Sequence, residues 1–307
     1  MISVRKLAWS TLAWNVLVVL WGAVVRATGS GAGCGTSWPT CHGRLIPELE
    51  GATAIEFGHR AVSGVALLLV ALTAIGVFRT HARGEPARKG AFWSVVAILV
   101  ESGIGAAIVF YEWVADDASA ARVISVPIHL ANTFLLLAAL TLTAFWASGG
   151  GRLTRRRHRW AFLVVGLGMV AVAATGAVTA LADTLFPKDG FTVLGVFDVQ
   201  TSEHLLTRLR AIHPFVAIGV GLLAAVWAWR RFGRAIDGGR AAVRLIAATV
   251  LVQIGVGFAN VLFLTPTWLT VVHLLLADVL WITWVWLAAT VTSEPAPSLP
   301  EPSAGRR

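Results

Sequence analysis

Charge is what this sequence has least of: Asp, Glu, Lys and Arg make up 13% of its 307 residues, against 57% hydrophobic. A water-soluble domain usually has about a quarter of its residues charged, and the mean hydropathy of +0.75 points the same way. Acidic residues are scarcer than basic ones, 16 against 25. The resulting net charge of +9 does not mark a nucleic-acid binder, because the arginines stand in short clusters between long apolar runs. Two cysteines are too few for a fold held by a disulfide framework. Tyrosine occurs once, whereas Trp occurs 14 times, and its amphipathic ring suits helices anchored at lipid headgroups.

What the sequence does contain is eight apolar runs, at 7–25, 57–78, 91–111, 123–146, 160–182, 209–229, 245–264 and 268–290. Each is near the roughly 20 residues that cross a hydrocarbon core of about 30 Å. In lipid the backbone must satisfy its own polar groups, so helices are expected; the two-residue alternation of a membrane barrel is absent. The fold class is therefore an all-α integral membrane protein with eight transmembrane helices.

Basic residues orient it. With the N-terminus inside, the inner segments hold Arg5 and Lys6, then Arg79, Arg83, Arg88 and Lys89, then Arg152 to Arg159, Arg230 to Arg244, and Arg306 and Arg307. Together these account for 18 of the 25 basic residues. The positive-inside rule predicts a multi-pass cell-membrane protein with both termini cytoplasmic. The first run follows Arg5 and Lys6 as a signal peptide would, but it lacks a small-residue cleavage site and has a counterpart later in the chain. Residues 292–307, rich in Pro, Ser, Glu and Ala, read as a disordered cytoplasmic tail.

The two halves resemble one another. Gly22-Ala23-Val24 matches Gly176-Ala177-Val178 and His59 matches His213, both at an offset of 154. The stretch from Leu99 to Gly105 resembles Leu251 to Gly257 at an offset of 152, and His129 matches His273 at 144. An ordered series at nearly constant offset predicts two four-helix bundles in parallel repeat, related by an axis along the membrane normal. The halves are residues 1–150 and 151–291.

Position sorts the eight histidines. His81 and His158 fall in inner loops and His42 and His204 in outer ones, where solvation is the default. His59, His129, His213 and His273 lie within or at the outer ends of even-numbered runs, the latter of each pair about six residues in. One intramembrane His is commonly a helix–helix hydrogen bond. Four, paired by a repeat and near one face, point to function. Imidazole is an axial ligand for heme iron and a four-helix interior is a usual place for it. Zinc would want more ligands than each pair offers.

Glu56 and His59 share a helix face at i and i+3, whereas the position matching Glu56 is Arg210. A carboxylate beside a heme edge moves protons or stabilises a developing cation; the alternative is an ion pair with Arg60 or Arg26. Cys34 and Cys41, in the first outer loop, form either a structural staple or a thiol–disulfide relay. Glu101 and Asp278 lie inside the membrane, either hydrogen-bonded and neutral or part of a proton path.

These features together resemble the heme A synthase family over nearly the whole chain. The resemblance rests on eight spans in two related halves and on the stretch from Gly22 to Gly31, with Val24, Arg26, Thr28, Gly29 and Ser30. It rests also on the spaced outer-loop cysteines, Glu56-x-x-His59-Arg60, and the remaining three His. It implies oxidation of the C8 methyl group of heme O to a formyl group by successive hydroxylation. It implies substrate heme on His59 and His129, a heme b cofactor on His213 and His273, and Glu56 as catalytic carboxylate. The cysteine pair resembles one found in a bacterial subset, although residues 183–208 lack the second pair common there. Contact with a heme O synthase is plausible biology with no residue behind it. The runner-up is a bis-His diheme electron-transfer cytochrome. A quinone-linked thiol oxidoreductase and a transporter with a His/Glu proton relay rank behind it.

Overall fold

The computed structural model describes residues 3–154, 158–187, 206, 210–234 and 237–294. Eight helices are long and apolar enough to cross a membrane: α1 (Val4–Ala27), α2 (Gly51–Thr80), α3 (Pro86–Phe110), α4 (Ala120–Ala147), α5 (Arg159–Leu185), α6 (Ile212–Phe232), α7 (Asp237–Leu262) and α8 (Thr267–Thr292). A short 3₁₀ turn, Ser30–Ala32, follows α1. No strand is formed among the described residues. Of the expected disordered tail, 292–307, Thr292 instead ends α8 and the Glu294 N–H donates to the Arg152 carbonyl at 3.0 Å; residues 295–307 lie outside the described ones, as do His204 and most of the second outer loop.

Helix starts are set by polar residues that apolar runs do not register. Ser3 caps α1 by accepting from the Lys6 N–H at 3.3 Å, and Ser119 caps α4 by accepting from the Arg122 N–H at 3.3 Å. Pro86 opens α3, where its missing N–H leaves no bond unmade. Most helices therefore begin before their apolar runs, α2 at Gly51 by six residues and α7 at Asp237 by eight, whereas α6 begins at Ile212, inside its run. In consequence His59 and His129 are the ninth and tenth residues of their helices, deeper along the helix than run boundaries imply. His213 is the second residue of α6 and His273 the seventh of α8.

In each half every helix packs on its chain neighbour, and the first packs on the last: α1 on α4, and α5 on α8. That is the contact pattern of two closed four-helix bundles. The halves meet through the same helices from each side, α1 and α4 against α5 and α8. The seam is apolar with hydrogen-bonded indoles. Trp281 stacks on Phe134 at 5.3 Å and its Nε1 donates to the Phe134 carbonyl at 2.7 Å. Trp284 donates to the Phe162 carbonyl at 3.3 Å. Arg26 crosses the seam at its outer end, donating to the Ala180 carbonyl at 2.6 Å and Thr184 Oγ1 at 2.7 Å.

Candidate functional site

The four histidines share one local arrangement: each imidazole lies over a glycine of the preceding helix. A Cβ at Gly22 on α1 would stand 3.2 Å from His59 Cε1, and one at Gly176 on α5 would stand 3.0 Å from His213 Cε1. On the other helix pair the figures are 3.9 Å from Gly105 to His129 and 3.3 Å from Gly257 to His273. The glycines correspond between the halves at offsets of 154 and 152, so each recess recurs with its ring. The repeat had been visible in the sequence; the recess had not, because it depends on how two helices face one another.

His213 and His273 stand with ring centroids 6.5 Å apart and planes at 80°. That separation leaves room between them for a metal with nitrogen bonds of about 2 Å on each side. The buried Nδ1 atoms of His59 and His273 have no hydrogen-bond partner among the described residues, and such atoms ordinarily have one; that of His129 faces Glu101 Oε1 at 3.2 Å without the alignment of a hydrogen bond. His213 Nδ1 instead meets Thr175 Oγ1 at 3.1 Å, which leaves its other nitrogen for a ligand. Two imidazoles per bundle, with unsatisfied nitrogens and glycine recesses, fit heme iron. No group of three or more His, Cys, Asp or Glu suited to another metal occurs among the described residues.

Glu56 is 3% exposed. Its Oε1 accepts from Arg60 Nη2 at 2.5 Å, and its Oε2 accepts from the Cys34 backbone N–H at 2.8 Å. The ion pair expected as one alternative therefore exists, and with Arg60; Arg26 is committed to α5 instead. Arg60 also donates to the Ser37 and Thr40 carbonyls, both at 2.5 Å. The loop between the cysteines is thus tied to the very face of α2 that carries Glu56 and His59. Gly33 permits this approach, since a Cβ there would lie 2.4 Å from the Ala52 carbonyl carbon. At the matching place in the second half, Arg210 pairs with Asp183 at 2.9 Å.

Cys34 and Cys41 form a disulfide, both fully buried. Closing so short a loop stabilises by about 2–3 kcal/mol in the chain-entropy view. Yet Arg60, Thr53 and His42 also hold the loop, the last two through the Gly33 carbonyl at 2.6 and 2.9 Å. Cys34→Ser with Cys41→Ser is therefore expected to speed proteolysis of the loop about tenfold or more while the helices stay folded. Limited proteolysis beside a thermal melt checks this, and equal loss of both would contradict it.

Glu101, on α3, packs against α4: Asn132 Nδ2 donates to Oε2 at 2.5 Å, Thr133 Oγ1 donates to Oε1, and His129 Nδ1 lies 3.2 Å from Oε1. Asp278 is fully buried in α8 with neither carboxyl oxygen hydrogen-bonded among the described residues. Of its two expected roles, the hydrogen-bonded one is not seen there.

Comparison with known proteins gives a consistent assignment. The pattern of a cytochrome oxidase assembly protein family, COX15-CtaA, matches residues 5–54 and 48–285. A heme A synthase of Exiguobacterium sp. is 29% identical over 259 residues, covering 84% of this chain and 83% of that one. A heme A synthase of Symbiobacterium thermophilum is 38% identical over 107 residues, about a third of each chain. A protoheme IX farnesyltransferase of Thermus thermophilus is 43% identical over 273 residues, 87% of this chain; the chain spans 45% of that longer protein.

Proposed function

Because the chain belongs to the COX15-CtaA cytochrome oxidase assembly family, we propose that it is a heme A synthase, oxidising the C8 methyl group of heme O to a formyl group by successive hydroxylation. The observation that carries the reading is the repeat-matched pair of imidazole pairs, each ring in its glycine recess. Residues 1–150 form the substrate half, with His59 and His129 holding heme O. Residues 151–291 form the cofactor half, with His213 and His273 holding heme b. Bound heme supplies the oxidising chemistry that no side chain offers for an unactivated methyl group. The protein ligates and orients it and excludes water. Among the described residues, Glu56 is the carboxylate joined both to the ligand-bearing face of α2 and to the disulfide loop. It serves as proton acceptor at Oε2, exchanging the Cys34 N–H for the substrate's proton.

The protein is a multi-pass membrane protein, and we place it in the cell membrane with both termini cytoplasmic, on the distribution of its arginines. The longer Thermus relative, named as a protoheme farnesyltransferase, supports a partner of that kind. The second reading, a bis-His diheme electron carrier, has one observation in its favour: both oxygens of Glu56 are already engaged, as in a purely structural ion pair.

The deciding experiment expresses the chain beside a heme O synthase in a host that makes no heme A, then extracts and separates the hemes. Hydroxylated heme O or heme A is expected. Recovery of heme B and unmodified heme O alone, with electron supply verified, would give the carrier reading the lead.

A further inference from the structure

The two halves differ beside one ligand in each pair. In the first half Glu101 stands 3.2 Å from His129 Nδ1. Its repeat counterpart at an offset of 152 is Gln253, whose Nε2 stands 3.3 Å from His273 Nε2. The surroundings differ in step with this. Glu101 receives hydrogen bonds from Asn132 and Thr133, and the positions matching those two in α8 are Leu276 and Ala277. A carboxylate in a membrane interior needs such donors more than an amide does, and the buried Gln253 Oε1 has no partner among the described residues. Three positions on two helices thus agree in giving one half a stabilised carboxylate and the other a neutral amide.

We propose that Glu101 is a positioning residue that accepts the His129 Nδ1 proton in a hydrogen bond, turning that imidazole into a stronger electron donor than His273 and holding the first iron site at the lower reduction potential. No better-aligned acceptor for His129 Nδ1 exists among the described residues. A small turn of the ring about its broad second torsion brings the N–H onto Oε1. A carboxylate on the far nitrogen of a ligating His fixes its tautomer and raises its basicity, and axial-ligand character is one of the levers on heme potential. Gln253 meets the other ring nitrogen of its histidine, Nε2, and as a neutral amide brings no charge to it. A substrate heme with the more electron-rich iron and a cofactor heme with the higher potential make electron flow from the first half to the second downhill.

The proposal rests on the two-site reading above, and its test separates the two. The full chain carrying His213→Ala and His273→Ala keeps only the first site; the chain carrying His59→Ala and His129→Ala keeps only the second. Each is purified in detergent, loaded with hemin, and titrated potentiometrically. In the first background Glu101→Gln is expected to shift the ferric–ferrous equilibrium about tenfold toward ferrous, ~59 mV upward for a one-electron couple. In the second background Gln253→Glu, with Leu276→Asn and Ala277→Thr, is expected to shift it downward. An unmoved midpoint with hemin still bound in Glu101→Gln overturns the proposal and leaves the two sites standing. If Glu101→Gln loses hemin, the Gln253 variant decides by the sign of its shift. Failure of both backgrounds to bind hemin would sink the two-site reading and the proposal together.

Discussion

Glu56→Gln is expected to abolish heme conversion, by about 10²-fold or more in rate, while leaving the heme content of the protein unchanged. The substitution is nearly isosteric, and the side chain it replaces is buried between two donors, Arg60 and the Cys34 N–H. A carboxylate accepts from both; an amide offers one acceptor and turns a donor toward the other. One buried donor is left unmatched, at about 1–3 kcal/mol, which a domain of eight packed helices tolerates. What the amide cannot do is take up a proton, and a positioned acid or base contributes about 10²–10⁴-fold to a rate. Heme extraction gives the rate and pyridine hemochrome the content. Normal conversion in the variant would return Glu56 to the role of a buried structural ion pair with Arg60. Lost heme with lost conversion would make it part of the binding site.

The second large effect is steric. Gly176→Val is expected to empty the second half of heme while the first half keeps its own. Even the Cβ would stand 3.0 Å from His213 Cε1, tighter than ordinary contact, and the branched methyl groups come closer. The ring must leave its recess, because α5 and α6 are held by packing along their length. Overpacking costs about 1–3 kcal/mol in the fold. Displacing a ligand's support costs about 10–100-fold in metal affinity. Gly22→Val, 3.2 Å from His59 by the same measure, should do the converse and empty only the first half. Heme-to-protein ratio in the two variants reads the result. Equal loss from both halves in either variant would mean that the recesses are not independent.

Much of this architecture is legible in the sequence, for a physical reason. A lipid solvent imposes length and polarity so strictly that eight spans stand out, and the histidines recur in order in the two halves, at offsets of 154 and 144. The ends of the helices are less visible. Residues Gly51 to Glu56 are too polar to count as a membrane run, yet they are helical, so His59 lies two turns along α2 and not at its start. The partners of the charged groups are least visible. Glu101 could be recognised as an expensive intramembrane carboxylate, but its closeness to His129 depends on how α3 is rotated against α4. Likewise Arg26 and Arg60 were both candidates to pair with Glu56. Only the packing sends Arg26 across the seam and Arg60 to the carboxylate. No spacing rule connects the Cys34 N–H to Glu56, since loop backbone follows from docking on α2.

The crossing of Arg26 also makes the two halves unlike at their seam. Its acceptor is the carbonyl of Ala180, the residue that stands in Arg26's own place in the second half, at the offset of 154. With alanine on that side a single cation crosses the seam and finds two oxygens, the Ala180 carbonyl and Thr184 Oγ1. The clasp therefore has a direction: its cation comes from α1 and its acceptors from α5.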